Sequence, residues 1–186
     1  MLGDLSRLDR LTPRVAADFR ERVRATRYED RVPLPAERQD VTQMPEELRI
    51  PLIEWALRRD THPAAGLALL FQHLLPVPAV AIDRVLGKEV RGALEGSGVL
   101  RAEGEQLRSG LLMVIADGVF IWSDRASDGA EAVMTPGPTT ADLINLQPPS
   151  LGGSFLDVGT GPGTLVHRPL AQASGSRSKR RTASSR

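Results

Sequence analysis

The sequence predicts an α+β protein in which the helical part comes first. Residues 1–62 are charged and carry apolar side chains at helical spacing, which indicates solvated helices with one buried face. Short apolar segments of helix and strand length follow in residues 63–130. Within residues 131–166 a strand runs into a glycine-rich loop, and residues 167–186 form a basic tail that is too poor in apolar side chains to fold.

The composition is that of an ordinary globular protein. Of the 186 residues, 41% are hydrophobic and 25% are charged. The sequence contains no cysteine, which excludes disulfides and thiolate metal sites, and we predict no metal. The first ten residues carry two acids and two arginines, so they do not resemble a signal peptide. We therefore expect a cytoplasmic location.

One stretch, residues 64–82, is apolar enough to be considered as a membrane span. It is interrupted by Gln72, His73, Pro76 and Pro78, which predicts two short packed helices and no membrane contact.

The net charge of +1 is unevenly distributed. Six Lys or Arg and no acid follow Val166, so the remainder of the chain holds 18 basic and 23 acidic residues. The basic character of the protein is therefore a property of the tail and does not indicate that the folded part binds nucleic acid.

Two helices are predicted in the first 62 residues. In the first, Val15, Phe19 and Val23 recur every four residues after Pro13, which is typical of a helix start. A polar, proline-containing connection follows over residues 28–45. The second helix begins with acidic residues and places four apolar side chains on one face: Leu48, Leu52, Trp55 and Ala56. We predict Trp55 to be a core residue, and Pro51 to be unfavourable beyond the first turn.

The next segment has the element order of a winged helix. Three short helices are predicted over residues 64–75, 79–86 and 88–96, followed by strands at 99–102 and 111–115 with a turn-rich segment at 103–110. In a DNA reader the third helix would offer Lys88 and Arg91 to the duplex. Acidic residues accompany them, so a structural or substrate-orienting module is favoured over a DNA reader, which stays open as an alternative.

Residues 119–124 form a clear strand that ends in Ser-Asp. Prolines and Gly137 then precede Thr139 and Thr140, and Thr139 can cap a helix that contains Leu143 and Ile144. Gln147-Pro148-Pro149-Ser150 is interpreted as the linker to the following strand.

That strand and its loop are the most informative stretch of the chain. Phe155, Leu156 and Val158 predict a buried strand with Asp157 inside it, and glycines follow at every second position: Gly159, Gly161 and Gly163. Glycines at this spacing let backbone N–H groups approach a nucleotide-type cofactor. The loop has no Lys-Ser/Thr pair for a phosphate-binding loop, and Thr164 occupies the third glycine position of a dinucleotide fingerprint.

The segment closely resembles motif I of class I S-adenosylmethionine-dependent methyltransferases. This resemblance implies S-adenosyl-L-methionine as the cofactor and a Rossmann-like α/β domain that begins within residues 131–166. It implies that the cofactor-binding positions are Asp157, Gly159, Thr160, Gly161 and Gly163. Thr139 and Thr140 would line the same site by resemblance, or they are simply turn and cap residues. The alternative for the whole motif is a glycine-rich turn after an ordinary strand.

Over about residues 45–165 the chain also resembles, less specifically, bacterial methyltransferases with an N-terminal accessory domain. Their catalytic fold is of the small-domain type that methylates RNA bases or protein glutamine. The resemblance therefore implies N-methylation of RNA, a protein or a small molecule.

Other parts of the methyltransferase pattern are missing. No acid follows Asp157 where the ribose hydroxyls would be held, and no Asn/Asp-Pro-Pro-aromatic strand end follows, so no catalytic residue is assigned. Pro169 would interrupt the helix after the motif. We expect an incomplete, inactive chain whose tail derives from a frameshift or a truncation. The alternative is a non-enzymatic winged-helix module with a basic C-terminal arm that binds nucleic acid.

Overall fold

The computed structural model describes residues 5–28, 45–116 and 119–124. These residues form helices and two small antiparallel sheets, which confirms the predicted α+β class. Residues 29–44 of the polar connection, the threonine pair, the glycine motif and the basic tail lie outside the described residues. The domain boundaries predicted from the sequence stay predictions.

The first helix, α1, spans Pro13–Ala25 and follows a short 3₁₀-helix at Leu5–Arg10. The Thr12 hydroxyl caps α1 by accepting a hydrogen bond from the Val15 N–H at 3.3 Å. The side chains of Phe19 and Val23 are buried, so the apolar stripe expected for this helix is confirmed.

The second helix, α2, spans Glu46–Arg59 and corrects the expectation for Trp55. Trp55 is 55% exposed, whereas Leu57 is only 4% exposed. The helix carries apolar residues on two faces, and it is the Ile53–Leu57 face that packs against the core. Trp55 instead lies against Arg59, whose guanidinium carbon is 4.4 Å from the ring centre.

Pro51 lies inside α2, beyond its first turn. Proline is expected to be unfavourable at this position, because it removes one backbone hydrogen bond and crowds the preceding turn. The helix nevertheless continues for eight further residues.

The third helix, α3, spans Pro63–Leu67 and continues as a π-helical turn at Ala68–Gln72. In this turn the His73 N–H donates to the Ala68 carbonyl oxygen at 3.0 Å. The helix ends at Gln72, three residues before the predicted end at residue 75. Leu74 then turns the chain with a φ of 53°, the left-handed region that terminates helices.

A two-residue strand, β1 at Val77–Pro78, leads directly into α4 at Ala79–Ser97. Gly87 interrupts α4 with a φ of 73° and a ψ of 155°, so the element consists of two helices that meet at this glycine. This matches the two short helices predicted on either side of residue 87. Within the described ranges, no helix combines the length and apolar composition that a membrane span requires.

Three strands form the first sheet. Strand β2 at Leu100–Glu103 pairs with β3 at Gln106–Ser109, and β1 pairs with the other edge of β3, which gives the order β1-β3-β2. The segment expected to be only turn-rich thus contains a strand. Leu107 is the single buried apolar side chain of this segment. One such residue does not produce the alternation of apolar and polar side chains that predicts a strand.

A separate hairpin, β4 at Leu112–Ala116 and β5 at Val119–Ser123, forms the second sheet. Strand β5 confirms the strand predicted there. Its Phe120 and Trp122 join Phe19 and Phe71 in an aromatic cluster with ring-centre distances of 5.5–6.0 Å. This aromatic cluster connects α1, the π-helical turn and β5 within one buried core.

Gly87→Ala is expected to destabilise the protein, because a side chain at this backbone conformation costs about 1–3 kcal/mol. The new Cβ would also lie only 3.1 Å from the Arg22 Nη1 atom. Gly92→Ala is the matched control, since Gly92 lies in α4 with no atom within 4 Å of the added Cβ. The control should gain about 0.5–1 kcal/mol from helix propensity. Urea unfolding measures both, and equal effects would contradict the break at Gly87.

His73 is expected to make stability fall as the solution becomes acidic. Burial lowers the pKa of His73 in the folded protein below its ordinary value of 6.5. The unfolded chain therefore takes up the proton first, and the stabilisation present above pH 6.5 is lost as the pH falls toward the folded pKa.

Urea unfolding at pH 7.5 and about pH 5.5, above the range where most carboxylates titrate, tests this expectation. His73→Gln should reduce the difference in unfolding free energy between the two pH values. His167→Gln, in the tail, should leave that difference unchanged. A pH dependence that is identical in the wild type and His73→Gln would show that His73 does not carry it.

Candidate functional site

The residues predicted to bind the cofactor lie outside the described residues. They are the motif positions and the two threonines that precede them: Asp157, Gly159, Thr160, Gly161, Gly163, Thr139 and Thr140. Their role in cofactor binding stays a prediction. The described part of the chain offers two other candidates, the second half of α4 and a cleft between helices.

The second half of α4 contains Arg91, one of the two residues expected to contact DNA. The Arg91 Nε atom lies 2.6 Å from Asp83, and its Nη1 atom lies 2.6 Å from Glu95. The hydrogen bond that Arg91 donates to Asp83, followed by the one that it donates to Glu95, raises the pKa of Arg91 above its already high value. Its guanidinium is thus engaged in an ion-pair network that spans the break at Gly87.

Lys88, the other expected contact, is exposed. It has no hydrogen-bond or ion-pair partner in the described part of the chain, so it is free to meet a phosphate. Its neighbour Glu89 lies 3.5 Å from Arg14 of α1. From Lys88 to Arg108 the chain holds four basic and four acidic residues, so α4 and the β2–β3 hairpin have no net positive charge.

The hairpin adds no clear basic surface of its own. Arg101 and Arg108 lie opposite each other on β2 and β3, which places both side chains on one face. The Arg108 Nε atom is 3.3 Å from a Glu103 carboxylate oxygen. A duplex approaching this face would therefore meet paired charges.

The cleft has a volume of about 810 Å³, within the ~300–1,000 Å³ range of small-molecule sites. Residues of α1, α2, α3, β1 and α4 line it, together with the loop that joins α2 to α3. In that loop the Asp60 carboxylate accepts a hydrogen bond from the His62 N–H at 2.8 Å. The His62 Nδ1 atom in turn accepts from the Ala64 N–H at 3.2 Å, so the loop is held by its own side chains.

Tyr28 is a buried polar residue with a different character. Its side chain is 1% exposed, and burial raises the pKa of its hydroxyl well above the ordinary value. The hydroxyl has no hydrogen-bond partner among the described residues. Because solvent does not reach it, Tyr28 contributes apolar ring surface to the core and is not placed to exchange protons with a ligand.

The described ranges contain no group of three or more His, Asp or Glu side chains that could hold a metal ion. The cleft could not be predicted from the sequence, because the residues that line it come from six different segments of the chain. The clustering of Arg, Asp, Thr and His in residues 58–62, immediately before a proline, was the one available signal.

Comparison with known proteins does not assign the chain to a family: no protein-family model matches it, and no curated protein sequence does.

Proposed function

We propose that this chain belongs to an S-adenosylmethionine-dependent methyltransferase that methylates a nitrogen of RNA, a protein or a small molecule. The observation that carries the proposal is the sequence Phe155–Thr164, in which a hydrophobic strand, an internal acid and three alternating glycines occur together. A glycine-rich turn without a ligand needs none of this combination.

The described elements support an accessory role for residues 63–130. Helix α3, the two halves of α4 and the β2–β3 hairpin follow one another in the order of a winged helix, with β1 on the edge of the sheet. The absence of net positive charge over Lys88–Arg108 favours a module that orients a substrate over one that reads DNA.

In such an enzyme the cofactor would supply a methyl group bonded to a positively charged sulfur. A nucleophilic nitrogen of the substrate would attack the methyl carbon in line with the carbon–sulfur bond. The proposal assigns cofactor binding to Asp157, Thr160 and the three motif glycines. Thr139 and Thr140 are proposed to line the same site. No catalytic residue is assigned, because the sequence contains no Asn/Asp-Pro-Pro-aromatic motif.

Gly161→Val should abolish binding of S-adenosylmethionine to the full chain, because the new side chain would hold the loop backbone away from the cofactor. We expect the wild-type complex to be weak, because residues 167–186 contain no acid that could hold the ribose hydroxyls. Saturation-transfer NMR on the adenosyl protons is therefore the measurement, since it detects weak complexes. S-adenosylhomocysteine should compete for the site, and ATP should not.

Gly175→Val, in the basic tail, is the matched control and should retain the signal. Circular dichroism of both variants should equal that of the wild type, which separates loss of binding from loss of folding. The motif assignment fails if Gly161→Val gives the same saturation-transfer signal as the wild type, or if the wild type gives none.

A second candidate function rests on a separate observation. Residues 177–186 carry five basic residues and no acid, a composition typical of arms that bind nucleic-acid phosphates. In this alternative the protein is a non-enzymatic winged-helix module, and the arm provides its affinity for nucleic acid.

Substitution of the five basic residues of 177–186 with Gln should eliminate most binding to duplex DNA, because each phosphate contact releases counterions. With five contacts, the slope of log K against log salt is expected to be about −4.5 for the wild type and near zero for the substituted chain. Fluorescence anisotropy at several salt concentrations measures both slopes. Lys88→Gln is the control for α4. If Lys88→Gln lost more affinity for duplex DNA than the tail variant does, the proposal that the arm provides the affinity would be wrong.

A further inference from the structure

The cleft between α1, α2 and α4 has an apolar floor. Leu57, Leu69 and Val77 line it, and each is at most 4% exposed. These residues come from α2, the π-helical turn and β1, so the floor is part of the main core and is not a mobile surface feature. The apolar side chains that a ligand could cover are those of Pro78, Ala81 and Val85, which remain accessible beside this floor, and their burial is worth about 25 cal/mol per Å².

The rim of the cleft is basic. Among the described lining residues, Arg22, Arg58 and Arg84 are basic and Asp60 is the one carboxylate. Arg84 is exposed and forms no ion pair with any described residue. Arg84 is therefore the rim arginine that is available to an anion, because Arg22 and Arg58 are already paired with carboxylates outside the lining.

Two of the three arginines are held in place by carboxylates outside the lining. The Arg22 Nε atom donates to Asp18 at 2.9 Å, which leaves both Nη groups of Arg22 without a described partner. Arg58 bonds to Glu54 at 2.7 Å and also donates to the Pro76 carbonyl oxygen at 3.3 Å. These contacts orient the guanidinium groups before a ligand arrives, which reduces the entropy cost of binding.

An apolar floor below a basic rim selects a particular ligand chemistry. A phosphate alone would leave the accessible Pro78, Ala81 and Val85 side chains in contact with water, and a neutral hydrocarbon would leave Arg84 without a partner. We propose that this cleft binds a small organic anion, a molecule with an apolar ring system and one carboxylate or sulfonate. This proposal uses none of the residues assigned to the cofactor, so it does not depend on the proposed methyl transfer.

The probe is 1-naphthoate, titrated into the full chain by calorimetry, with 1-naphthalenemethanol and inorganic phosphate as comparison ligands. We expect 1-naphthoate to bind, the neutral alcohol to bind several-fold more weakly, and phosphate not to bind. Arg84→Gln should weaken 1-naphthoate binding about threefold, the range of an exposed ion pair. Arg20→Gln is the matched control, an exposed α1 arginine outside the cleft that has no described partner, and should change nothing.

A second pair of variants tests the floor. Ala81 lines the cleft, so Ala81→Phe should occupy it and abolish 1-naphthoate binding. Ala17→Phe adds the same ring at an exposed position of α1 and should bind like the wild type. Circular dichroism verifies that each variant is folded.

The proposal is overturned if 1-naphthoate does not bind at millimolar concentration, or if Ala81→Phe binds it as tightly as the wild type does. Equal losses in Arg84→Gln and Arg20→Gln would also overturn it, because they would show a general charge effect. Equal affinity for phosphate and 1-naphthoate would identify a simple anion site and exclude a role for the floor.

Discussion

The described structure depends on the packing of four aromatic rings. The sequence contains only seven Phe, Trp and Tyr residues, and four of them meet in the aromatic cluster. Phe19 contacts the other three rings, so it is the residue that joins α1 to the π-helical turn and to β5. Edge-to-face pairs of this kind add about 0.5–1.5 kcal/mol each to the free energy of ring burial. Without Phe19, α1 would lose its ring contacts with the π-helical turn and with β5.

Two arginines from the N-terminal segment fix the same arrangement from outside the core. The Arg7 guanidinium donates to the Gly98 carbonyl oxygen at 3.1 Å, and a Cβ on Gly110 would lie 2.9 Å from its Nη1 atom. Arg22 occupies the equivalent position against Gly87. Gly110 and Gly87 both let a guanidinium lie close to the backbone, and at Gly87 the φ of 73° also requires glycine. Gly87 therefore allows both the break in α4 and the close approach of Arg22 of α1 to the α4 backbone.

The parts of the fold that were predictable are those with a strong local signal. The Phe19–Val23 stripe has one apolar face, and residues 119–124 have β-branched and aromatic residues in sequence. Trp55 was not predictable because α2 has apolar residues on two faces, and the choice between them depends on what lies opposite. Strand β3 was missed because Leu107 is its single buried apolar side chain, although β3 forms a local hairpin with β2. The cleft was missed because its floor and rim come together only through tertiary packing.

Arg91 connects the geometry of α4 to the choice between the proposed functions. Its bonds to Asp83 and Glu95 reach across Gly87 and hold the two halves of α4 at a fixed angle. To contact a DNA phosphate, Arg91 would have to leave two carboxylates that are themselves partly buried, at 19% and 27% side-chain exposure. Those carboxylates would then face the duplex unpaired, and like charges at this distance repel. The same network that defines the helix pair therefore works against a role for its second helix in reading DNA, which favours a module that positions a substrate.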